Sequence, residues 1–317
     1  MRLQPRTLSE LQATMAQADE RSERISSIEL SALHRFLEHV PEDMTATVET
    51  GRTLSGFQGD LSKHKQWLPA DPPHPDRLTI RELLDTNASG PRRLGYGTVR
   101  DYLIGMKVVL ANGRLIKAGG KVVKNVAGYD LGKLFIGSQG SLGVIVEATF
   151  KLRPFPEKEA FVQAEFSTLE QADGFVQAVL ASDLTPIVLD LHHRAPIPAG
   201  SSPAYVVVVG FAGSSDEVQW ELVRARELGA GTPSTLDYHR TFWSDNGSPV
   251  HRISTMPSEL AKTIAALGPI AFVAHAGNGV VWYRGGPAPG KEDLPGKLFQ
   301  RVKDAYDPRH ILPELPS

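Results

Sequence analysis

Between Asn87 and Gly143 the chain alternates short apolar runs with clusters of glycine, a texture that restricts its fold more than any other feature. Residues 104–110, 115–118 and 144–150 are apolar enough to be strands. Glycine packed this densely between strands marks turns and bulges, or backbone brought close to a ligand. Three such clusters stand within one tract: 86–101, 119–130 and 137–143. The third, Gly137-Ser138-Gln139-Gly140-Ser141-Leu142-Gly143, runs into a strand. A dinucleotide fingerprint needs its glycines to open a helix, so NAD on a Rossmann sheet is disfavoured.

The flanking sequence is read by period. Residues 8–18 carry Leu8, Leu11 and Met15 at helical spacing, and the spacing of Leu30, Leu33 and Leu37 predicts a second helix over 27–39. Residues 44–49 alternate like a strand, and 54–65 read as a helix weakened by Gly56 and Gly59. Pro69, Pro72, Pro73 and Pro75 exclude regular structure there. Beyond Arg153-Pro154-Phe155-Pro156 the texture changes, which places a domain boundary: 1–154, then 155–317. The second part reads strand 160–166, helix 169–180, strands 187–192 and 205–211, helix 218–228 and a last strand near 234–239. That order is the ferredoxin-like signature. A helix over 258–267, a hairpin of 270–275 with 280–283, and a closing helix over 298–306 follow. The fold class expected is therefore α+β in both parts.

Composition removes several functions. With 34 basic against 36 acidic residues the net charge is −2, too little to gather nucleic acid. The chain has no cysteine, so any thiolate-bound cluster serving it in electron transfer must sit on a partner. No apolar run approaches the ~20 residues of a membrane span, and residues 1–20 lack a signal-peptide core. A cytoplasmic location is the expectation. No grouping of His, Asp and Glu has metal-ligand spacing, so no metal is expected.

Taken alone, Asn87-Ala88-Ser89-Gly90 with Tyr96-Gly97 and Asp101 offers small side chains and approachable amides, the makings of an anion-binding nest. On composition a solvated loop with a basic tip at Arg92-Arg93 is the commoner outcome. One flat cofactor held by backbone groups would account for all three clusters together, and a flavin suits that description.

The spelling is more specific than the composition. "NASGPRR…YGTVRD" from Asn87, and "GGKVVKNVAGYDLGKLFIGSQGSLGVI" from Gly119, resemble the FAD-binding domain of the vanillyl-alcohol oxidase / p-cresol methylhydroxylase superfamily. Within it the flavoprotein subunits of glycolate oxidase are the nearest likeness. The resemblance implies an FAD-binding domain of that type, N-terminally abbreviated, followed by a ferredoxin-like α+β cap domain. It implies non-covalent FAD held by Asn87, Ala88, Ser89, Gly90, Tyr96, Gly97, Asp101, Lys124, Asn125, Gly137, Ser138, Gly140, Leu142, Gly143, Val144 and Ile145. It further implies oxidation of a 2-hydroxy acid such as glycolate, beside a second flavoprotein subunit and an iron–sulfur subunit.

Two departures weigh against full function. The family's Arg-Gly-Gly-Gly type loop has no counterpart before residue 25, and Thr79-Ile80-Arg81-Glu82 stands where the family has a Thr-hydrophobic-Gly-Gly turn. The alternative is therefore a non-catalytic scaffold subunit with weakened or lost FAD binding. No catalytic base is assigned. His275 is a candidate, although a histidine satisfied within the core is the commoner case. His192 and His193 are adjacent on a strand and must face opposite ways.

Overall fold

A computed structural model describes residues 1–120, 132–193, 205–244, 247–290 and 296–314. Two compact units result. The first collects residues 1–89, 98–155 and the segment from 291 onward; the second collects 90–97 and 156–290. The chain passes from one unit to the other after Phe155, one residue beyond the expected 154. The expected second domain, 155–317, needs correction at its end, because the helix Gly296–Tyr306 belongs to the first unit. There Val302 and Tyr306 pack on the main core, with the Tyr306 ring edge-on to Phe135.

The first unit is built on a five-stranded antiparallel sheet in the order Phe36–Val40, Thr45–Glu49, Val144–Lys151, Leu103–Val109, Leu115–Gly119. Alternation sets its faces. Ala46, Val48, Met106, Ala148 and Phe150 enter the core beneath the helices Leu54–Ser62 and Ile80–Thr86. On the opposite face Thr47 and Thr149 share a 3.0 Å hydrogen bond and Lys107 pairs with Glu147 at 2.8 Å. The helix Leu8–Glu20, capped by Thr7, buries Leu11 and Met15 in a smaller cluster with Val144, Val146 and Ile311.

Residues 27–39 are not a helix. Ser27–Ile28 pairs in parallel with Arg2–Leu3, a turn follows, and Phe36–Val40 becomes an edge strand against Thr45–Glu49. The leucine spacing arises from the turn: Leu33 N–H donates to Leu30 O, Gly51 N–H donates to Leu33 O, and Leu30 and Leu33 are buried while Leu37 is exposed. Pairing with a neighbouring strand has overridden the local period.

The second unit carries the ferredoxin-like pattern. Strands Thr232–Pro233, Lys158–Phe166, Tyr205–Gly213 and Val188–His193 lie in that order, with the helices Leu169–Leu180 and Ser215–Leu228 packed on them. The sheet then continues through Phe272–His275, Val280–Arg284 and Val250–Ser254 to seven strands. The last ferredoxin-type strand is displaced from the expected 234–239. It stops at Pro233, which has no N–H to extend the ladder, and Asp237–Ser244 is a helix burying His239 and Phe242.

Candidate cofactor site

The helix Ile80–Thr86 and the loop 137–141 meet inside the first unit. The helix opens on a reciprocal cap: Thr79 Oγ1 accepts from Glu82 N–H, and Glu82 Oε2 accepts from Thr79 N–H at 2.8 Å. It closes on Asn87 with φ +49°, the left-handed conformation asparagine tolerates. Gly137 N–H then donates to Leu84 O and Gln139 N–H to Asp85 O, each at 2.9 Å, which pins the loop to the helix end. Gly137 and Gly140 have φ +80° and +73°, so a side chain at either would be strained whatever the neighbouring space.

Three buried polar atoms at this junction lack a hydrogen-bond partner among the described residues: Asp85 Oδ1, Asn87 Oδ1 and Ser138 Oγ. Orphans of this kind are uncommon and mark a ligand or a strained site. Two of the three residues, Asn87 and Ser138, are ones the sequence singled out. Asp85 was missed. Burial pushes its carboxyl up to about 6, against the opposing pull of Arg81 and with a further push from Glu82. Its Oδ2 accepts from Arg81 Nη1 at 3.0 Å, and Arg81 Nη2 donates to Ile28 O at 2.9 Å. The spacing Thr79-x-x-Glu82 is the signal that announces a helix start here, and it brings Arg81 and Asp85 onto one face four residues apart.

The other expected site residues divide. Ala88 and Ser89 are half-buried in the first unit beside Asn87. Gly90, Tyr96 and Gly97 fall in the second unit, on a segment fixed by Gly95 N–H to Ile187 O at 3.2 Å. Arg92 is no solvated tip: its guanidinium is paired twice with Glu159, at 2.8 and 2.5 Å. Asp101 caps its own turn, accepting from Thr98 N–H at 2.8 Å. Lys124 and Asn125, with Lys121 and Asp130, lie outside the described residues.

Leu142, Val144 and Ile145 are buried core residues. Gly143 serves that core too, since a Cβ there would stand 2.7 Å from Val108 Cγ1 and 3.2 Å from the Phe135 ring. Gly143→Ala should therefore lower stability by about 1–3 kcal/mol through overpacking. A melting curve that does not move would assign this glycine to something other than packing.

Beside the junction lies a cavity of about 530 Å³ whose wall includes Ile28, Arg52, Thr53, Thr79, Arg81 and Glu82. Elsewhere, in the second unit, His275 Nδ1 sits 2.9 Å from Asp190 Oδ1, and Tyr238 donates to Asp190 Oδ2 at 2.7 Å. His192 stacks on Tyr238 and His193 on Phe272, so the two histidines face opposite ways. His275 is 2% exposed and Asp190 0%, which makes His275 a core histidine hydrogen-bonded to a buried Asp side chain.

Residues 13–119 match a family model described as an FAD binding domain. Glycolate oxidase subunit GlcD of Bacillus subtilis (strain 168) is 39% identical over 158 residues, covering 50% of this chain and 34% of that protein. Glycolate oxidase subunit GlcE of Escherichia coli (strain K12) is 35% identical over 139 residues, covering 43% of this chain and 40% of the relative. The chain thus spans well under half the length of these two relatives. A solved alkyldihydroxyacetonephosphate synthase superposes with TM-score 0.73 at 15% identity, over 98% of this chain and 76% of the other, a likeness of fold.

Proposed function

We propose, from the premise that the chain belongs through residues 13–119 to the FAD-binding domain family, that it is an FAD-dependent oxidoreductase subunit acting on the CH–OH group of a 2-hydroxy acid such as glycolate. The observation carrying this reading is the pair of orphaned buried atoms, Asn87 Oδ1 and Ser138 Oγ, on the two pinned segments that meet at Gly137. An acceptor and a hydroxyl held in place without partners fit a ligand with hydrogen-bonding edges, as FAD has. FAD, bound non-covalently, would supply a two-electron acceptor for the hydride of the substrate carbon. Asn87 and Ser138 would fix its position, and the buried Leu142 and Ile145 beneath the loop would keep that position rigid.

The chain has no cysteine, so an iron–sulfur subunit would carry any thiolate-held cluster, and a second flavoprotein subunit would complete the assembly. Among the described residues no helix is long and apolar enough to cross a membrane; the location proposed for the complex is cytoplasmic. The protein purified with its partner subunits should be yellow, and its flavin absorbance should bleach when glycolate or D-lactate is added without oxygen. A flavin band that no 2-hydroxy acid bleaches would sink the redox assignment.

A second reading has one observation in its favour. The reciprocal cap of Thr79 and Glu82 turns the expected glycine turn into a helix start, which favours a scaffold subunit with weakened or lost FAD binding. A colourless complex would support it.

A further inference from the structure

Many backbone donors in and around the cavity beside the Ile80–Thr86 helix are already engaged. Arg52 N–H donates to Glu49 O, Leu54 N–H to Leu78 O and Ser55 N–H to Pro75 O. Gly56 N–H donates to Thr53 Oγ1. On the other wall Ile80 N–H donates to Arg52 O, Arg81 N–H to Thr50 O and Glu82 N–H to Thr79 Oγ1. A diphosphate entering here finds these amides already spent, although its charge must be met by donors or cations. Side chains in the wall are the remaining source of charged donors.

The cavity wall offers two guanidinium groups. Arg52 is tied to Asp60, to Gly56 O and to His34 O. Arg81 is tied to Asp85 and to Ile28 O, which engages two N–H groups of a fork that carries five. Its side chain is 20% exposed, open enough to reach a ligand and enclosed enough for the contact to count. Its partner Asp85 is a carboxylate that burial disfavours in the charged form, and therefore a weak competitor for the guanidinium.

We propose that Arg81 replaces backbone amides as the donor to the diphosphate of a bound dinucleotide, exchanging Asp85 for a phosphate oxygen when the cavity fills. The inference rests on the FAD reading given above and extends it to a residue the chain holds in place of glycine. Arginine suits the task because its planar fork meets two phosphate oxygens at once. Asp85 serves as a resting partner that holds the guanidinium in the wall until the ligand arrives.

The test uses the full chain with its partner subunits and two probes, FAD and ADP, followed by flavin fluorescence and by competition. Because Arg81→Ala alone strands a buried carboxylate and could unfold the protein, the informative variant is Arg81→Ala combined with Asp85→Asn, with Asp85→Asn alone as its control. The double variant should bind both probes roughly 10- to 100-fold more weakly than the control, the span of one charge-assisted hydrogen bond. Equal or tighter FAD binding by the double variant would overturn the proposal and make Arg81 an obstruction. An unaltered protein that takes up neither probe would overturn this inference together with the FAD reading. Arg81-dependent binding without bleaching by any 2-hydroxy acid would uphold the inference while the redox assignment fell.

Discussion

Asp85→Asn should stabilise the protein at pH 7.5 and leave it unchanged near pH 4. The carboxyl of Asp85 titrates near 6 in the folded chain, raised by burial, held back by Arg81 and pushed further by Glu82. In the unfolded chain an aspartate titrates at about 3.9. Between those values the folded state binds more protons, so stability falls as pH rises from about 4 to about 6 and is flat above. Two pKa units amount to roughly 3 kcal/mol, the ceiling on what the neutral amide can recover at pH 7.5. The side chain is only 9% exposed, so solvent screening removes little of it. At about 2–4 °C per kcal/mol for a unit of this size, the melting temperature should rise by up to about 10 °C. Melting curves at several pH values check this. A variant with the same pH slope as the parent would mean that the carboxyl does not titrate where its burial places it.

Lys303→Met should have the largest effect of opposite sign. Lys303 and Asp307 are 1% and 0% exposed and 2.6 Å apart. The ammonium also donates to Ser141 O and Pro313 O at 2.8 Å, while Asp307 accepts from Ile311 N–H and Leu312 N–H. Deleting the cation leaves a buried carboxylate without its counter-charge, at a cost of about 3–5 kcal/mol. Urea unfolding measures that loss. Hydrogen exchange at residues 137–141 should speed up as well, because Ser141 O loses its donor. A loss under about 1 kcal/mol would show the pair to be replaceable by packing.

Strands and capped helices were legible wherever one element decided its own shape. Val144–Lys151 follows its apolar run, buried at six of its eight positions, and Leu8–Glu20 follows its helical period. Residues 27–39 were misread because a turn over Gly51 and a helix share three-residue spacing, and only the partner strand distinguishes them. At the candidate site, Asn87 and Ser138, singled out by spelling, carry buried atoms without a partner among the described residues, whereas Gly143 of the same stretch is crowded by core side chains. Asp85 escaped notice because nothing in a sequence marks a carboxylate as buried. Its importance depends on the loop 137–141 folding back over the helix end.

The contact between Lys303 and Ser141 joins residues 162 positions apart, with the larger segment of the second unit, 156–290, between them in the chain. A ribosome therefore delivers that second unit before it delivers the lysine that secures the loop 137–141. Until then the nascent first unit has its sheet but lacks the helix Gly296–Tyr306 and the Ile311 and Leu312 plug of its smaller core. Apolar surface left open for that interval is what chaperones capture and what aggregates in their absence. Maturation of the candidate cofactor loop therefore waits until residue 303 has been made, and the yield of this protein in a cell should depend on how long its unfinished first unit is kept from other chains.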